Sequence, residues 1–111
     1  MSNQYIDLES GLKRVGNSKA LFKRLLGKYL DEDYYGKVRT LLDAGNELEA
    51  SNAAHTIKGV AANLSLTAVN TAALNLEQAL KHGEGDYEAL AAELKTAMDE
   101  TATAIGGLDL S

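Results

Sequence analysis

No proline interrupts the chain, and leucine (18) with alanine (17) far outnumbers the β-branched apolar residues valine (4) and isoleucine (3). Leucine and alanine lose little on entering a helix, whereas strands favour β-branched and aromatic side chains. The residue supply alone therefore predicts an all-α fold. Periodicity agrees: Phe22, Leu25, Leu26 and Tyr29 recur at helical spacing in one segment, and Tyr34, Tyr35, Val38, Leu41 and Leu42 in the next. Strand-like alternation is absent.

Capping chemistry sets the predicted boundaries. A short N-terminal helix spans about Ile6 to Arg14, and Asn17-Ser18 precedes a second that runs to about Leu30. Asp31 or Asp33 opens a third that ends near Ala44-Gly45. Asn46, with Glu49 three residues on, has the form of a capping box and starts a helix through about Leu64. Ser65 or Thr67 starts a fifth, which stops at His82-Gly83, where glycine suits a left-handed terminus. Asp86 caps the last, with an apolar stripe of Tyr87, Leu90, Leu94, Met98 and Ile105. Gly27 and Gly36 lie inside predicted helices, each at a cost of about 1 kcal/mol relative to alanine. Connections this short make successive long helices antiparallel, so the expected architecture is an up-and-down four-helix bundle with an additional short N-terminal helix. One domain over residues 1–111, with its core at about 5–105, follows from the length and from the lack of any linker or repeat.

Several function classes fall away. The chain has no cysteine, which excludes thiol catalysis and disulfide scaffolds, and its formal net charge of −5 argues against nucleic acid or an anionic membrane as partner. No window is apolar enough to span a bilayer, and the first residues lack a basic and apolar leader, so a cytoplasmic protein is expected. Protein or small-molecule partners remain.

The two histidines, His55 and His82, are then the main candidates for chemistry. On the helix from Asn46 to Leu64, Ala50, Ala53, Ala54, Ile57, Ala61 and Leu64 share one arc, which must be the buried stripe. His55 points about 150° away from it, at ~100° per residue. Its surface neighbours are Ser51, Asn52, Gly59 and Ala62, all small, and Gly59 costs about 1 kcal/mol in a helix interior. Clearance for a bulky incoming group is a compensation for that cost. Lys58 is placed to set an ammonium beside an anion carried by the ring, and Leu48, also turned outward, offers an apolar contact near it. Those four small or apolar positions, Leu48, Ser51, Asn52 and Ala62, form the expected partner surface.

If the next turn centres near Leu66, an antiparallel hairpin brings residues equidistant from it level with one another, and His55 pairs with Glu77. Glu77 flanks the stripe Val69, Ala72, Ala73, Leu76 and Leu80. A carboxylate there can accept a hydrogen bond from one ring nitrogen and leave the other free as a nucleophile. Gln78 is a competing orienter. His82, beside Lys81 at a helix C-terminus, is placed for the helix dipole and reads as structural.

The segment Ala54-His55-Thr56-Ile57-Lys58-Gly59-Val60-Ala61-Ala62-Asn63-Leu64 resembles the signature of histidine-containing phosphotransfer (HPt) domains. Ile6 to Asn17, then Leu21-Phe22 and Leu25-Leu26, resemble the N-terminal part of bacterial members, and Leu76-Glu77 falls where the family commonly has a Leu-Glu pair. The resemblance implies that His55 accepts the phosphoryl group, Lys58 helps hold it, Gly59 leaves access, and Glu77 or Gln78 orients the ring. It also implies a phosphocarrier in a His-Asp phosphorelay, not an enzyme with its own nucleotide site. Receiver domains of response regulators or a hybrid histidine kinase would be the partners, with Mg²⁺ on the receiver and no cofactor or metal on this chain. A free-standing carrier is the expectation from a short chain beginning at Met1, and a monomer is expected. The alternatives are an excised domain of a hybrid or chemotaxis-type kinase and a helical interaction module that binds a receiver or kinase without phosphotransfer. Two departures stand out: Ser65 where many relatives have glycine, and Val60 where they have a small serine or alanine.

Overall fold

The fold, taken from a computed structural model, is described for residues 4–108; residues 1–3 and 109–111 of the expected domain lie outside the described residues. Six helices follow one another: α1 (Leu8–Arg14), α2 (Lys19–Asp31), α3 (Tyr34–Asp43), α4 (Glu47–Leu64), α5 (Thr67–His82) and α6 (Tyr87–Gly106). Side-chain oxygens start most of them. Ser18 Oγ accepts from the Leu21 N–H, Asp33 Oδ1 from Gly36, Asn46 Oδ1 from Glu49 and Asp86 Oδ1 from Ala89, at 3.0–3.2 Å. Each satisfies one of the donors that a helix start leaves unpaired. At Asn46 only this half of the capping box forms, because the Asn46 N–H donates to the Leu41 carbonyl at 2.9 Å.

The start of α5 departs from expectation. Neither Ser65 nor Thr67 caps it: the N-cap is Leu66, without a side-chain cap, and Thr67 Oγ1 donates instead to the Gln4 carbonyl at 3.0 Å. The reason lies in how α4 ends. Ser65 is left-handed at φ 57°, its N–H donates to Ala62 O at 3.2 Å, and the Leu66 N–H donates to Ala61 O at 2.8 Å. This paired return closes α4 with backbone alone and leaves Leu66, fully buried, to enter α5 directly. Glycine is the usual occupant of such a left-handed position, so Ser65 carries a conformational cost of about 1 kcal/mol. It sits in a supported place: its carbonyl accepts from the Asp7 N–H at 2.9 Å and its hydroxyl meets Ser10 Oγ at 3.1 Å, tying α1 to the α4–α5 turn.

The two-residue turn makes α4 and α5 an antiparallel hairpin, and this pair packs most extensively; α6 lies against α5, and α3 bridges α4 and α6. Facing α4, α2 and α3 act as one broken side. Leu25 and Tyr29 share a groove with Val60 and Leu64, while Gly36 and Leu41 share the next with Glu49, Ala53 and Thr56. Tyr29 and Tyr34 stack across the break, their ring centroids 5.8 Å apart. The result is the expected four-sided bundle with α1 as the extra helix, drawn out to 43 × 21 × 21 Å.

Phe22, Leu26, Val38, Ile57, Val69, Leu76 and Leu94 fill the core. On α6 the buried positions are Ala91, Leu94 and Thr101, with Tyr87, Leu90, Met98 and Ile105 packed along the edge. The predicted stripe thus faces the core, with Ala91 and Thr101 added to it where α6 meets α5 and α3. Gly11 marks the tightest crossing. A Cβ there would stand 2.6 Å from Phe22 Cζ and 3.3 Å from the Leu64 carbonyl oxygen, and the Phe22 ring is fully buried with nowhere to swing. Overpacking typically costs about 1–3 kcal/mol, against roughly 1 kcal/mol gained in helix propensity. Gly11→Ala is therefore expected to lower stability by up to about 2 kcal/mol, measured by urea unfolding; higher stability would show that α1 can lift off its neighbour without cost.

No helix among the described residues is long and apolar enough to cross a membrane.

Candidate functional site

The α4–α5 hairpin turns at Ser65-Leu66, so His55 on α4 and Glu77 on α5 stand level. The structure joins them directly: His55 Nδ1 lies 2.7 Å from Glu77 Oε2. Lys58, nearly one turn on, reaches the other oxygen of the same carboxylate, with Nζ 2.8 Å from Glu77 Oε1. One carboxylate thus holds both the imidazole and the ammonium.

Exposure differs sharply within this trio. The Glu77 side chain is 3% exposed, Lys58 27% and His55 64%. Glu77 is therefore a buried anion, where its flanking position on the α5 stripe had suggested an edge. It is buried because the two cation-forming side chains of α4 lie over it. Burial pushes the Glu77 carboxyl upward, but the hydrogen bonds from Lys58 and His55, with the attraction of their charges, outweigh burial and hold it below the ordinary carboxylate range. It is ionised at neutral pH.

That state settles the ring's orientation. An ionised carboxylate only accepts, so Nδ1 must carry the proton facing Glu77, and in the neutral ring Nε2 keeps its lone pair. With the ring mostly in solvent, Nε2 is the open edge. A further support had no signal in the stripe pattern: Asn70 Nδ2 on α5 donates to the Lys58 carbonyl at 3.2 Å, pinning the two helices beside the trio. A polar residue beside the core face of α5 was the only hint.

Around the ring, Gly59, Asn52 and Ala62 are exposed, and Leu48 is 72% exposed. An added Cβ at Gly59 would meet nothing within 4 Å. The fold places no demand for glycine there, so the cost of Gly59 has no packing explanation. Two expected site residues are displaced. Ser51 is buried at 5% exposure, because α4 packs against α3 as well as α5 and its buried arc is wider than one stripe. Gln78 is exposed and its Oε1 lies 3.3 Å from His82 Nε2; one residue further round α5 than Glu77, it faces away from His55 and does not orient it. His82, the last residue of α5, is exposed, and its Nε2 faces the amide oxygen of Gln78.

Two grooves flank α4. One of about 710 Å³ is lined by Lys37, Thr40 and Leu41 with Asn52, Ala53 and Thr56, and one of about 610 Å³ by Leu25, Lys28 and Tyr29 with Val60 and Asn63. Val60 lines the second and packs on the core edge. Among the described residues no three His, Cys, Asp or Glu side chains converge as metal ligands.

Fold and site together define a helical bundle that presents one exposed, carboxylate-oriented imidazole beside a lysine. The Hpt domain family matches residues 24–104, well over half of the chain, and the chain belongs to that family. Neither a curated protein nor a solved structure matches it. Hpt domains take part in His-Asp phosphorelays, as phosphocarriers that interact with receiver domains or histidine kinases.

Proposed function

We propose that the protein carries a phosphoryl group on Nε2 of His55, taking it from the aspartyl phosphate of one receiver domain, or from a kinase, and passing it to the aspartate of another receiver. The observation that carries this reading is the hydrogen bond of Nδ1 to a buried carboxylate, which leaves Nε2 as the accessible nucleophile of a mostly exposed ring. In the accepting step the Nε2 lone pair forms the N–P bond as the P–O bond to the aspartate breaks and the aspartate leaves as carboxylate. Nδ1 keeps its proton. The substituted ring is then cationic, and Glu77 stabilises it through the same hydrogen bond. Lys58 can turn its ammonium from Glu77 toward the phosphoryl oxygens.

So sparse a site suffices because phosphoryl transfer has a loose, in-line transition state that asks for alignment and charge neutralisation more than covalent help. The receiver supplies the aspartate and Mg²⁺; this chain supplies the nucleophile, one ammonium and a shaped surface, and turns over no substrate of its own. The surface around the ring, Leu48, Asn52, Gly59 and Ala62, is the seat for the receiver.

The test is transfer from a phosphorylated receiver to wild type and to Gly59→Leu. Leucine removes the clearance while improving helix propensity by up to about 1 kcal/mol. The variant is expected to keep or gain thermal stability and to lose transfer by more than about tenfold, since an obstructed approach costs alignment first. Normal transfer by Gly59→Leu would show that the receiver does not seat over this part of α4. Binding of receivers without any transfer by the wild type would favour the non-transferring interaction module.

A further inference from the structure

Charge is unevenly spread over this acidic chain. Six of its 11 cations, Lys13, Arg14, Lys19, Lys23, Arg24 and Lys28, precede residue 30 alongside only two carboxylates, Asp7 and Glu9, while 14 of its 16 carboxylates lie beyond it. All six cations are exposed. The ion pairs among the described residues involve Arg39, His55, Lys58 and Lys95, and none of these six.

Local helix physics accounts for Lys28, in the last turn where the dipole favours a cation, but not for the rest of this pattern. Lys19 stands in the first turn, where the helix dipole favours anions and α2 has no acidic residue. Lys19 with Lys23, and Arg24 with Lys28, are like charges four residues apart, each pair unfavourable by a few tenths of a kcal/mol, about 0.2–0.5. Between them lies Gly27, interior to the helix, where an added Cβ would meet nothing within 4 Å. Its cost, about 1 kcal/mol relative to alanine, again has no packing explanation. Opposite the buried stripe of Phe22, Leu26 and Tyr29, then, α2 presents Lys23, Arg24 and Lys28 around a bare glycine.

We propose that this outer face of α2 is an electrostatic docking surface for the acidic face of the receiver that exchanges phosphoryl groups with His55. The inference rests on the phosphocarrier reading and adds to it where, and by what force, the partner is held. Lys28 lines the same groove as Val60 and Asn63, which follow His55 on α4. Antiparallel pairing of α2 with α4 sets Lys28 level with Ala61, about 9 Å along the axis from His55 and one helix spacing of about 9 Å aside. An ordinary protein interface covers about 800 Å² per partner, a disc of radius roughly 16 Å, so one footprint spans both. The partner is acidic by its own chemistry, because a site that transfers phosphoryl from aspartate with Mg²⁺ must gather carboxylates to hold the metal. A polyanion is the poorer match: the remaining surface of a chain with net charge −5 would repel DNA or an anionic bilayer.

The experiment measures the second-order rate constant for phosphoryl transfer from a phosphorylated receiver, at salt from about 0.01 M to about 1 M. It compares wild type, the triple variant K23E/R24E/K28E, and K81E as a cation on another helix. Labelling by phosphoramidate, a small donor that needs no protein partner, reports the state of His55 in each. Expected are a wild-type rate that falls steeply with salt, a triple variant about tenfold or more slower at low salt with little salt dependence, an unaffected K81E, and labelling by phosphoramidate in all three. Equal rates for the triple variant and wild type at low salt would overturn the proposal. So would loss of phosphoramidate labelling in the triple variant, which would place these cations in the chemistry of the site. Wild-type binding to duplex DNA or anionic vesicles that the triple variant lacks, with transfer unchanged, would assign the face to a polyanion. Should wild type exchange with no receiver yet accept label from phosphoramidate, the phosphocarrier reading fails first and takes this surface with it.

Discussion

Replacing His55 with glutamine is expected to reduce phosphoryl acceptance to the background of the assay. The chain has no cysteine to serve as an alternative soft nucleophile, and its only other imidazole, His82, lacks the shared carboxylate and ammonium of the α4–α5 site. A phosphohistidine is recognised by label that survives alkali and is lost in acid. Wild type should acquire such label from a phosphorylated receiver, and His55→Gln should acquire none. The side chain is 64% exposed and glutamine can still donate to Glu77 through its amide, so helix content should be unchanged and stability should fall by no more than about 1 kcal/mol. Label retained in His55→Gln would move the chemistry elsewhere on the chain.

The second large effect belongs to Glu77. Glu77→Gln keeps one oxygen able to accept from His55 Nδ1, but it replaces the other with an NH₂ that faces the Lys58 ammonium 2.8 Å away in the native arrangement. Donor would meet donor. The amide must then rotate to serve Lys58 and abandon the ring, or serve the ring and expel Lys58. Losing the carboxylate that orients a metal-bound histidine costs about 10- to 100-fold in affinity or activity, and a transfer rate lower by a similar factor is expected here. The same substitution carries a pH signature. Glu77 titrates below the ordinary value of ~4.3, because hydrogen bonds to Lys58 and His55 overcome its burial. A carboxyl lowered on folding contributes stability that is fully present above its unfolded value and is lost as pH falls through the folded one. Wild type should therefore lose this component in acid, below about pH 4, while Glu77→Gln lacks it at every pH. Urea unfolding across the acid range checks this: the gap between the two proteins should close as pH falls. A gap that is constant down to acid would mean that the carboxylate is not held ionised by its partners.

Much of this architecture was legible because it depends on chemistry local to the chain. Ser18, Asn46 and Asp86 could be placed as helix starts, and Asp33 as one of two candidates beside Asp31, because a short polar side chain before a helix can accept from the N–H three residues on. The level pairing of His55 with Glu77 followed from a turn too short to allow another register. What the sequence could not show was set by neighbours. Leu66 replaced Ser65 and Thr67 at the start of α5 because α4 closes through backbone hydrogen bonds, which leave no side-chain signature. Ser51 and Glu77 are buried although each lies beside its helix's apolar stripe, since periodicity in one helix does not report how many helices surround it. Gln78 was indistinguishable from Glu77 as an orienter by composition; the ~100° step between them on α5 decides the matter. Gly27 was visible only as a cost to α2, and its place among Lys23, Arg24 and Lys28 on one outer face emerged once Phe22, Leu26 and Tyr29 had been located inward.

The most direct measurement of the central claim is the position of phosphorus on the ring. Protein labelled with ¹⁵N at histidine and phosphorylated by a receiver should show, by ¹⁵N and ³¹P NMR, a single phosphohistidine substituted at Nε2 of His55, with Nδ1 still protonated toward Glu77. Phosphorus on Nδ1, or on His82, would contradict the account.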